Sequence, residues 1–168
     1  MAKEQDPLAS EFLPSGYEFP ASNSFMKFIV GKNKFRILSP LTVGFEYWTT
    51  ENRPVRSKTQ FEETPGGKTD GDGKVSINHF WAVVVYNYAT KAIQILEITQ
   101  KGIQKYILGL VNNPDWGKPQ GYDIVVTREG DGLATKYTVA ANPHKKMSAD
   151  VLEEYKKSGI TAESLFEE

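Results

Sequence analysis

The sequence predicts a mainly β domain: a five-stranded barrel with one helix between its third and fourth strands, plus a short C-terminal helix. Three observations lead there. Stretches rich in β-branched and aromatic residues, bounded by Gly, Pro and Asn, recur at strand lengths along the chain. The clearest helical apolar spacing falls between the third and fourth strands of that series, after a hairpin and before another. The chain has 168 residues, 39% of them hydrophobic and 12% aromatic, which supports one packed core and excludes a disordered chain. This order of strands, helix and hairpin is the layout of the OB-fold, a small partly open barrel, and other small barrels and α+β sheets share it.

The elements follow in order. Residues 1–26 carry Pro7, Pro14 and Pro20 without any period, and read as an extended arm anchored by Phe12, Tyr17 and Phe19. Lys32 to Leu38 alternates, with Phe35 and Ile37 on one side and Lys34 and Arg36 on the other. Ser39-Pro40 interrupts it, and Val43 to Thr50 resumes β character, with Gly44 placed for a bend or bulge. Residues 51–75, with Pro54, Pro65 and several glycines among cations, read as a long flexible loop. His79 to Tyr88 and Lys91 to Ile98 form the strongest strand pair. Thr99 is placed to cap a helix carrying Ile103, Tyr106, Ile107, Leu110 and Val111, which Asn112-Asn113-Pro114 stops. Tyr122 to Arg128 and Leu133 to Ala140 make a second hairpin across Glu129-Gly130-Asp131-Gly132. Ser148 opens a short helix that Gly159 ends, and residues 161–168 read as an acidic tail. The expected division is an arm over 1–26, a barrel over 27–143, and a C-terminal helix and tail over 144–168.

Composition excludes several chemistries. Cysteine is absent, so there is no thiol nucleophile, disulfide framework or thiolate zinc site. Apolar runs such as Ala82 to Val85 fall far short of the ~20 residues that span a bilayer, and the N-terminus has no apolar stretch of the secretory kind. A soluble, cytoplasmic protein is expected. The net charge of -1 hides an asymmetry: residues 1–26 sum to -3, residues 27–75 to +3 and residues 145–168 to -2. A basic middle attracts polyanions, and acidic ends compete for the same surface.

No catalytic, metal or cofactor site assembles. His79 lies in an apolar strand and His144 follows Pro143, with no local motif marking partners for either. Asp70-Gly71-Asp72-Gly73 resembles a calcium loop, but Lys74 occupies the third ligand position and the closing Glu is missing. Gly66-Gly67-Lys68-Thr69 lacks the spacing of a phosphate loop.

The aromatics carry more. Eight of the chain's twenty, Phe45, Tyr47, Trp48, Phe61, Phe80, Trp81, Tyr86 and Tyr88, fall within residues 45–88, interleaved with Arg53, Arg56, Lys58, Lys68 and Lys74. Single-stranded nucleic acid needs this combination, rings for the base faces and cations for the phosphates. In the strand 79–88 both faces carry a large ring, and whichever face does not enter the core needs a cover, a partner or a ligand. Core packing and solvated charge are the competing explanations for each of these residues taken singly. Trp116, in a loop beside Gly117-Lys118, is better placed to plug the barrel end than to stack a ligand.

Asn33-Lys34-Phe35-Arg36-Ile37-Leu38, His79 through Asn87, Ile95 through Lys101, and Tyr122-Asp123-Ile124 with Lys136-Tyr137 together resemble phage-encoded single-stranded DNA-binding proteins with an OB-fold, over roughly residues 27–143. The resemblance implies sequence-independent coating of single-stranded DNA in phage replication, recombination and repair, in the host cytoplasm and without catalysis. It also implies recruitment of replication proteins through the acidic C-terminal tail, which is short here. The expected DNA groove is lined by Lys34, Arg36, Arg53, Arg56 and Lys58, with bases stacking on Tyr47, Trp48, Trp81 and Tyr86, and the 51–75 loop closing over the strand. An RNA-binding or protein-interaction module would use the same surface, and homo-oligomerisation is left open.

Overall fold

The structure, a computed structural model, describes residues 25–166. The proposed N-terminal arm up to Ser24, with Phe12, Tyr17 and Phe19, lies outside the described residues. Eight strands form one mixed sheet: β1 (Phe25–Met26), β2 (Gly31–Ile37), β3 (Thr42–Trp48), β4 (Pro54–Ser57), β5 (Asn78–Asn87), β6 (Ala92–Ile98), β7 (Asp123–Glu129) and β8 (Lys136–Ala141). Helix α1 (Lys101–Val111) joins β6 to β7, and α2 (Ala149–Ser158) precedes a final 3-10 turn, Ala162–Phe166. Among the described residues no helix is long and apolar enough to cross a membrane.

The long β5 organises the sheet. One edge pairs with β6 from Trp81 to Asn87, while the other is shared, β3 pairing along Asn78 to Ala82 and β2 along Val85 to Asn87. The changeover falls at Ser39-Pro40. There the Leu38 amide donates to the Val84 carbonyl (2.8 Å), and the Val84 amide donates to the Ser39 hydroxyl (2.8 Å), so no β5 backbone group is stranded at the break. The sheet continues through β7 and β8 beyond β2 and ends at β1 beyond β6, with no ladder joining β1 to β8. The observed sheet is therefore open, whereas the sequence predicted a five-stranded barrel.

Both faces are covered. Phe35, Ile37, Val83, Val85, Leu96, Ile98, Ile124 and Val126 pack against Ile103 and Ile107 of α1. The α1 amide Gln104 is buried and donates to the carbonyls of Ile98 (2.8 Å) and His79 (3.2 Å), fixing the helix to the sheet. The helix begins after Gln100, one residue later than the expected Thr99 cap, and no side chain caps it. On the opposite face, Phe80, Ala82 and Ile95 lie under Ala162 and Leu165, and Val84 and Ile93 lie under Val151. The large rings on both faces of β5 are thus explained by a cover supplied by the chain itself. Helix α2 has the expected signals: the Ser148 hydroxyl accepts from the Val151 amide (3.3 Å), and Gly159 takes the left-handed conformation.

The segment read as an acidic tail is docked at least to Phe166. Leu165 is buried, the Phe166 ring lies 5.8 Å from that of Phe80, and Glu163 pairs with Lys58 at 2.9 Å. Gly44 makes this fit. A Cβ there would sit 2.7 Å from Phe80 Cζ and 2.9 Å from Phe166 Cζ. Gly44→Ala is expected to cost about 1–3 kcal/mol through overpacking. Urea denaturation measures it, and unchanged stability would show that the two rings have room to spare.

The region 51–75 is structured rather than an open loop. β4 pairs with β3, bridges join Thr49 to Gly67 and Thr69 to Val75, and the Asp70 carboxylate accepts from the amides of Asp72 and Lys74. The resemblance of that turn to a calcium loop reduces to Asp70 capping its own backbone.

Candidate functional site

The expected groove residues divide into four environments. Arg36 and Tyr47 are core groups, which corrects their assignment to a DNA surface. Arg36, 1% exposed, faces Asp123 directly across the β2–β7 pair and donates from Nε to its Oδ1 at 2.7 Å. Tyr47, 2% exposed, donates its hydroxyl to the Pro65 carbonyl (3.0 Å) and meets Phe61 edge-on. Trp81 and Tyr86 are half-buried packing residues, Trp81 against the α1-side core and Tyr86 against the cluster under α2, with its ring 5.0 Å from Tyr88.

Three expected cations are occupied by acids. Lys34 lies over the Tyr88 ring at 4.5 Å and 3.7 Å from Asp123. Asp123 also accepts from the Tyr88 hydroxyl at 2.8 Å, and burial together with that carboxylate pushes the Tyr88 phenol up to about 12. Arg56 is bonded to Glu46 and Glu97, and Lys58 to Glu163. Position separates Lys34 further. Trp48 lies past the Asn78 end of β5 and Lys34 near its Asn87 end, roughly 30 Å apart at ~3.3 Å per residue. Of the expected rings and cations, Trp48 and Arg56 line one hollow, and Lys34 and Tyr86 lie away from it.

Trp48 and Arg53 remain exposed, and around Trp48 the structure gathers residues that sequence reasoning missed. Trp48 ends β3 and stands as a ridge between two hollows. One, about 460 Å³, holds Lys68, Asn52 and Asn78. The other, about 440 Å³, holds the rings of Phe25, Phe28 and Tyr137 with Lys27, over Leu96 and Glu97. This second hollow lies where β1 and β8 face each other without pairing.

Its rings are positioned by identifiable bonds. Parallel pairing of Phe25 with Ile95 and Met26 with Leu96 buries Met26 and leaves Phe25 38% exposed. The buried Asn33 side chain holds the turn into β2, accepting from the Ile29 amide (2.9 Å) and donating to the carbonyls of Ile29 (2.9 Å) and Val126 (3.0 Å). Arg128 donates to the Phe28 carbonyl (3.0 Å), and the Phe28 ring lies 5.9 Å from Tyr137 and 6.3 Å from Phe35. Four rings with exposed apolar surface, fixed by a rigid sheet edge and flanked by Lys27 and, across Trp48, by Lys68, offer flat faces to an unsaturated ligand and positive charge to an anion.

The remaining candidates have structural roles. His79 Nδ1 lies 3.1 Å from the Gly44 carbonyl, with its ring against Phe45. Trp116 packs beside the core, its ring edge-on to Tyr122 and stacked on His144, as a plug. Comparison with protein-family models, curated proteins and solved structures gives no match.

Proposed function

We propose that the protein binds single-stranded DNA without reading its sequence, bases stacking along the hollow beside Trp48. The observation that carries this is the gathering of Phe25, Phe28, Trp48 and Tyr137 around one open groove, with Lys27 exposed in it and Lys68 exposed in the hollow on the other side of Trp48. Sequence-tolerant stacking supplies ~1–3 kcal/mol per base, and cations supply a salt-dependent remainder. The strand order supports a variant of the OB-fold: a meander (β2, β5, β6), a helix, and a hairpin (β7, β8) whose first strand returns to β2. In such barrels, loops flank the ligand face, and here the β3–β4 excursion and β8 border the groove. The resemblance in sequence supplies the setting, coating of single strands in the cytoplasm of an infected host during replication, recombination and repair, by binding alone. Recruitment of replication proteins by the C-terminal segment then requires it to leave the sheet, because Leu165 is buried and Glu163 is held by Lys58.

The test is titration of tryptophan fluorescence with oligo-dT at several salt concentrations. Log affinity is expected to fall linearly with log salt, at roughly -0.7 per phosphate neutralised. Absence of quenching at low salt overturns the reading, and preference for oligo-U in competition transfers it to RNA.

A further inference from the structure

Two carboxylates converge on one guanidinium at the wall of the groove. Arg56, on β4, places Nε 3.2 Å from Glu46 Oε2 on β3, and Nη2 3.3 Å from Glu97 Oε2 on β6. Glu46 is 2% exposed, while Arg56 and Glu97 line the groove beside Trp48. With both acids ionised, two carboxylates face this guanidinium beneath a surface proposed to hold phosphates, and Lys27 lines the same hollow. One proton on the pair lowers the negative charge of the wall by one unit.

Resting on the DNA-binding reading above, we propose that Glu46 and Glu97 share a proton which lowers the negative charge of the groove wall, so that polyanion binding and proton uptake at this pair are linked. Lys27 and Tyr137 line the same hollow. β4 contributes Arg56 and β6 contributes Glu97. β5 sets Asn78 opposite Glu46, and His79 beside it is engaged with Gly44 and Phe45. The C-terminal turn contributes Glu163, held by Lys58. Burial, followed by the neighbouring Glu97 carboxylate, pushes the Glu46 carboxyl up to about 8 against the pull of Arg56. The sign follows. Near pH 7 the pair carries its proton; as pH rises through 8 the wall gains one negative charge and attracts phosphate less. Bound polyanion in turn holds the proton on to higher pH.

The experiment measures oligo-dT affinity from pH 6.5 to 9.5 at fixed low salt for the wild type, Glu46→Gln and Glu97→Gln, alongside tryptophan fluorescence of each free protein against pH. Wild-type affinity is expected to fall about threefold to tenfold across this range, the effect of one charge ~8 Å from a phosphate at intermediate dielectric. Glu46→Gln, which fixes the neutral form, should lose that fall. Any slope it retains belongs to groups common to both proteins, such as the α-amino group. In Glu97→Gln the transition should move to lower pH. Without DNA, Trp48 should report a transition near pH 8 that is missing from Glu46→Gln. Equal pH dependence in wild type and Glu46→Gln overturns the linkage while leaving DNA binding intact. If no protein binds oligo-dT at pH 6.5, the DNA reading falls, even where free-protein fluorescence still reveals the shared proton.

Discussion

Asp123→Ala is expected to lower unfolding free energy by about 3–5 kcal/mol, the usual cost of leaving a buried charge without its counterion. Arg36 is 1% exposed, and besides the Asp123 carboxylate it donates to the neutral Gln120 carbonyl at 3.3 Å. Lys34 and the Tyr88 hydroxyl converge on the same carboxylate, so one truncation disturbs all three. Denaturant titration measures the loss. Replacing both members, Arg36→Met with Asp123→Leu, should recover much of it, because the pair's own net contribution is small once desolvation is counted. A loss below about 1 kcal/mol for Asp123→Ala would mean that water reaches Arg36 in the folded protein.

The second large effect concerns binding. Trp48→Ala is expected to weaken oligo-dT binding by roughly fivefold to a hundredfold, the equivalent of ~1–3 kcal/mol for one stacked base, with little change in stability. Trp48 is 43% exposed at the end of β3, so its removal opens no core cavity. Tyr47→Ala, one residue earlier, should do the opposite: it empties a buried site and unfolds the β3–β4 corner while the folded fraction still binds. Affinity measured beside thermal unfolding for both variants separates the roles. Equal affinity for wild type and Trp48→Ala would remove the groove from the DNA path.

How far the sequence revealed these roles depended on whether the deciding contact was local. β5 and β6 were legible because a dense β-branched run allows little else. The ends of α2 were legible because Ser148 and Gly159 act within one turn of their own positions. β1 and β4 were not, being two and four residues long, with Pro54 opening β4. Arg36 alternates as an outward residue should, and its burial follows from Asp123, 87 positions away. Phe80 is hidden by Leu165 and Phe166, which no periodicity connects to it. In the groove, Trp48 was identified by its aromatic neighbours in sequence, yet the rings it joins come from residues 25, 28 and 137, brought together by the β1–β6 pairing and by Asn33 and Arg128. A groove built at a sheet's unpaired seam draws its members from distant stretches, so clustering along the chain points to the wrong companions.

The docking of residues 160–166 onto Phe80 also bears on how the protein is made. During synthesis the strands appear before the segment that shields one of their faces, so Phe80, Ala82 and Ile95 stay bare until the last turn leaves the ribosome. A nascent chain stalled anywhere after β8 exposes an apolar strip on an otherwise assembled sheet, which is the surface that chaperones hold and that aggregation exploits.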